Sequence, residues 1–80
     1  MITHVLAQET DLTSATNVSS ANLVRVHNTG SAAKVTIKDG STVIGDITFA
    51  ANEVINLKKQ STWTLEGGVA FKAVKIGTTR

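Results

Sequence analysis

Eighty residues carrying a formal net charge of +2, a pI near 9.3 and no cysteine leave room for one small domain. They exclude a second core, a disulfide framework and a thiolate metal site. The basic excess is milder than the concentrated stripe of most nucleic-acid binders, and no apolar run approaches the roughly 18 residues that cross a bilayer. A domain of this size buries only about 60–65% of its unfolded surface, and such domains often lean on a disulfide, a metal or a second subunit. The two histidines, His4 and His27, lie far apart in sequence with no third ligand nearby. A homo-oligomer is therefore the expected staple. Residues 1–10 lack the basic stretch of a secretion signal. A soluble protein made in a cytoplasm is expected, where the Asn17-Val18-Ser19 sequon has no glycosylating role.

Val, Ile, Leu, Ala and Thr dominate and Pro is absent, which favours strands joined by Gly, Asn, Asp and Ser turns. Residues 2–8 predict a first short strand. Residues 9–22 predict a long connection or two weak β segments along an edge, anchored only by Leu12 and Val18. Connections of that length are often where subunit contact sits. Residues 23–28 predict a strand with Val24 and Val26 inward and Arg25 and His27 outward. Asn28-Thr29-Gly30-Ser31 is a turn in which the Asn side chain can bond its own backbone.

Residues 33–49 form a hairpin. Val35 and Ile37 alternate with Lys34, Thr36 and Lys38, and Val43, Ile47 and Phe49 continue beyond Asp39-Gly40. A three-residue loop, Lys38-Asp39-Gly40, with Gly40 left-handed pairs Val35 with Val43 and keeps the aliphatic side chains on one face. After a turn at 50–53 come strands at 54–58 and 61–65, then Glu66-Gly67-Gly68. A last strand at 69–76 precedes a polar tail, 77–80. That strand carries apolar residues on both faces, as a central strand under a loop or a subunit interface would. No segment has a helical period. The expected fold is all-β: a small antiparallel β-sandwich or barrel of six to eight short strands, Ig-like or jelly-roll-like, in one domain over 1–80.

No catalytic arrangement emerges. Asp39 and Glu66 stand in turns beside glycines, Glu53 opens a strand, and Asp46 faces outward. Neither histidine has a nucleophile or acid at a revealing spacing. Gly67-Gly68 precedes no helix N-terminus that could hold a phosphate. No enzyme activity, cofactor or metal is expected. Lys34 and Lys38 form a candidate basic face, with Lys58, Lys59, Lys72 and Lys75 adding charge. Only Trp63 is free to stack on a base or a sugar, so a single-strand nucleic-acid barrel or a glycan- and host-recognition module stand as alternatives. Outward lysines also block edge-to-edge aggregation. Trp63, Phe71, Val74, Ile76 and Leu12 are the candidate interface residues.

The runs Val24-Arg25-Val26-His27-Asn28-Thr29-Gly30-Ser31-Ala32-Ala33 and Ile44-Gly45-Asp46-Ile47-Thr48-Phe49-Ala50-Ala51-Asn52-Glu53, followed by Lys58 or Lys59 and a closing strand over 69–76, carry a resemblance. The chain resembles small structural proteins of tailed phages, notably marine cyanophages, over most of residues 18–76. The resemblance implies a virion component, either a capsid decoration (cement) protein or a neck or tail accessory. Such a protein would be made in the host cytoplasm and would assemble with itself and with capsid or tail subunits. No catalytic residue, cofactor or membrane contact comes with it.

Overall fold

A computed structural model describes residues 2–79 and contains no helix among them. Eight strands run in chain order: β1 (Ile2–Val5), β2 (Thr10–Leu12), β3 (Leu23–Asn28), β4 (Ala33–Asp39), β5 (Thr42–Phe49), β6 (Val54–Lys58), β7 (Thr64–Glu66) and β8 (Gly68–Thr79). They build two antiparallel sheets. The larger has the order β1-β8-β3-β6 with β2 also on β8, and the smaller has the order β5-β4-β7. The chain is thus an all-β domain consistent with a small sandwich. Strands β3 and β6 fall where alternation predicts them, with Val24 and Val26 buried and Arg25 and His27 half-buried on the other face.

Strand β8 is the spine of the larger sheet. Its residues 71–75 pair with β3 on one side, while β1 and β2 share the other side. This makes β8 a central strand; Phe71 and Ala73 on one of its faces join the core, while Val74 and Ile76 on the other are buried outside that cluster. The expected polar tail is instead part of β8 as far as Thr79, because β1 supplies an edge on which Gly77, Thr78 and Thr79 find partners. Arg80 lies outside the described residues. The core between the sheets gathers Leu12, Val18, Val24, Val26, Val35, Phe49, Leu65 and Phe71. At its centre the Phe49 and Phe71 rings meet edge to face, with centroids 5.3 Å apart at 78°. Such a pair adds to simple burial because the positive ring edge meets the negative ring face.

The β4–β5 hairpin departs from the expected register. The turn has two residues, Gly40-Ser41, and the positive φ of 63° at Gly40 alone suits a type II′ turn. Ile37 faces Gly45 while Lys38 faces Val43, so Ile44 is an extra residue, a β-bulge. The bulge restores parity. Val35 pairs with Ile47 and Ala33 with Phe49, which returns Ile47 and Phe49 to the core side. Val43, expected inward, is instead 58% exposed, and Ile44 is exposed beside it.

Segment 13–22 has no strand, but Thr16 and Leu65 exchange backbone hydrogen bonds of 3.1 and 2.8 Å. Beyond it the chain turns with the wrong hand: Val18, Ser19 and Ser20 have φ values of 54°, 59° and 56°. Left-handed geometry costs roughly 1–2 kcal/mol per L-residue. The burial of Val18 and Ala21 offsets it, as do bonds from Ala21 N to Asn17 O and from Ser20 N to Asn17 Oδ1. Leu12 and Val18 are the anchors that the sequence suggests.

Candidate interaction surface

Among the described residues no pocket opens, and no three His, Asp or Glu side chains converge as metal ligands. No helix is long and apolar enough to cross a membrane. What this geometry can offer a partner is therefore its faces and edges. Of the candidate interface residues, Leu12 and Phe71 are fully enclosed in the core, and Val74 and Ile76, outside that cluster, are also buried. Little of their side-chain surface is left for a partner, since none is more than 5% exposed. Trp63 is half-buried in the β6–β7 connection, where its backbone N–H donates to Gln60 O. The large apolar side chains left in solvent are others: Val5, Leu6, Val43, Ile44, Val54 and Val69.

The Lys34–Lys38 face of the smaller sheet is not basic. Register sets Asp46 and Glu66 on either side of Thr36, midway between the two lysines. Lys38 Nζ lies 3.0 Å from Glu66 Oε1, so Glu66 works as an ion-pair partner on a strand. Two cations and two anions cancel. The sequence hides this because the acids arrive from β5 and β7.

Lys59 also differs from expectation. Counted among the outward charges, it is only 5% exposed, and its Nζ donates to Ala21 O at 2.8 Å and to Gln60 O at 3.2 Å. Its backbone N–H donates to Asn22 O, so one residue ties the end of β6 to the left-handed turn. Burial pushes its pKa below the ordinary lysine value, since removing an ammonium from water disfavours the charged form. The unfolded chain therefore binds this proton more tightly than the folded one, and stability rises as pH climbs through the folded pKa toward 10.5. Compared with Lys59→Met by thermal melting, the native chain is expected to gain ground between pH 7 and pH 10. A melting difference that stays constant over that range would refute the buried ammonium.

Buried Asn28 makes the densest polar contact. Its Nδ2 donates to Ser31 O (2.8 Å) and to Ala50 O (3.2 Å), and its Oδ1 accepts from Gly30 N (3.0 Å). The adjoining turn is closed reciprocally: Glu53 N donates to Ala50 O, and Ala50 N donates to Glu53 Oε1. One amide thus locks the β3–β4 and β5–β6 connections together. No protein-family model, curated protein or solved structure matches the chain.

Proposed function

We propose that the protein is a non-enzymatic structural component of a phage particle, a decoration or a neck or tail accessory, that works through self-association and contact with particle subunits. The observation that supports this most is where apolar surface is left over. Val5, Leu6, Val43, Ile44, Val54 and Val69 stand in solvent on a chain of 80 residues. Strands β5 and β6 end their sheets with one unpaired backbone edge each. Open edges and exposed aliphatic side chains are liabilities in a protein that stays alone, and contact surface in one that assembles. The resemblance of most of residues 18–76 to small phage structural proteins suggests the particle.

Proteomic mass spectrometry of purified virions whose genome encodes this chain is expected to find it at a stoichiometry tied to the capsid or tail. Its absence from washed particles would sink the reading. Light scattering of the purified protein is expected to give a mass above the 8.4 kDa of one chain. The nucleic-acid alternative draws no support from Lys34 and Lys38, whose charge Asp46 and Glu66 cancel.

A further inference from the structure

The outward face of the larger sheet gathers several cations. Register places Arg25 at its centre, beside Asn56 on β6 and Val74 on β8. Two residues along, His27 stands beside Val54 and Lys72, and Lys58 stands beside Leu23. Lys58 and Lys72 are thus diagonal neighbours of Arg25 on either side, a spacing of about 7–8 Å between Cα atoms. The one carboxylate that strand pairing brings to this face is Asp11, whose Oδ1 holds Lys72 Nζ at 2.5 Å. Three full cations thus stand against one anion on the paired strands of this face.

Among the described residues the side chains of Arg25, His27 and Lys58 make no hydrogen bond or ion pair. Like charges on neighbouring positions of a sheet oppose folding; Asp11 relieves Lys72, while Arg25 and Lys58 have no such partner among the described residues. An arginine half-buried on a sheet surface, with its fork of donors unused, fits a carboxylate that comes from outside.

We propose that this face, centred on Arg25 and bounded by Lys58 and Lys72, docks an acidic protein surface. The choice of a protein rests on the contact reading above and on what lies between the cations. Leu23 and Val54 alternate with them, and the strand residues paired across this face include no aromatic on which a base could stack. The smaller sheet cannot serve as the acidic partner in a second copy, because its own outward face is neutral. The occupant proposed is a different subunit.

The test titrates 15N-labelled protein with a short polyglutamate peptide and, separately, with a 15-residue oligothymidylate at low salt. The peptide is expected to shift amides of β3, β6 and residues 71–76, and its affinity should fall about tenfold when Arg25→Ala is joined to Lys58→Ala, or fade as salt screens the charges. Lys58→Glu, at an exposed position, is expected to weaken binding even if Arg25→Ala perturbs folding. Shifts elsewhere, or an equal loss in Lys34→Ala with Lys38→Ala, would overturn the proposal. Tighter binding of the oligothymidylate would overturn it in favour of nucleic acid. None of these outcomes bears on whether the chain is found in particles, so the two readings fail separately.

Discussion

Phe71→Ala is expected to lower stability by about 3–5 kcal/mol, which approaches the whole margin of a domain this small. The chain has only two phenylalanines, and their edge-to-face contact occupies the middle of the core. The β7–β8 corner is built around that ring. A Cβ added at Gly67 would sit 2.9 Å from Phe71 Cδ2 and 3.0 Å from Val35 Cγ2, closer than carbon atoms pack. Gly67 is therefore needed for room, and its N–H also holds the chain against Leu12 O at 2.9 Å. Gly67→Ala is expected to cost about 1–3 kcal/mol in the native background and measurably less when combined with Phe71→Leu. Urea denaturation of the native chain, Phe71→Ala, Gly67→Ala, Phe71→Leu and the Gly67→Ala/Phe71→Leu pair checks both numbers and the coupling. Additive losses would mean that Gly67 and Phe71 do not share the contact.

Asn28→Ala is expected to cost about 2–3 kcal/mol, since it strips a donor from two carbonyls and an acceptor from Gly30 N–H in one step. Asn28→Asp is expected to be worse at neutral pH. An ionised carboxylate keeps the bond from Gly30 but turns a negative oxygen toward the carbonyls of Ser31 and Ala50. Acid should narrow that gap, because a protonated carboxyl regains one donor. Hydrogen exchange adds a spatial check: both variants should loosen the 50–53 turn, which is 22 residues from the substitution in sequence. A variant whose 50–53 amides stay protected would show that Asn28 is only a local turn residue.

The exposed aliphatic residues and the charged outer face of the larger sheet lead to one physical idea. The chain encloses its two phenylalanines and leaves aliphatic side chains in solvent, which supports the proposed role in assembly. On the proposed docking face, Arg25 and Lys58 interleaved with Leu23 and Val54 would select a partner by charge and by shape.

Amino-acid order alone determined the strand content, and for a local reason. Alternation of Val24, Arg25, Val26 and His27, or of Val54 through Lys58, is a property of neighbouring residues, and a half-buried strand must show it. The same holds for the Asx turn at Asn28, the positive φ at Gly40, and the anchoring by Leu12 and Val18. Everything that depends on which strands meet was decided by tertiary structure. The bulge at Ile44 lets a two-residue turn keep Ile47 and Phe49 inside. Strand order puts Asp46 and Glu66 between Lys34 and Lys38, and gathers Arg25, Lys58 and Lys72 on one face. It also sinks Lys59 beneath a left-handed turn and closes Phe71, Val74 and Ile76 within the subunit. Hydrophobic period tells each strand which side to bury. It carries no information about the neighbour, because pairing joins residues tens of positions apart, and the charge of a surface is the sum over those neighbours.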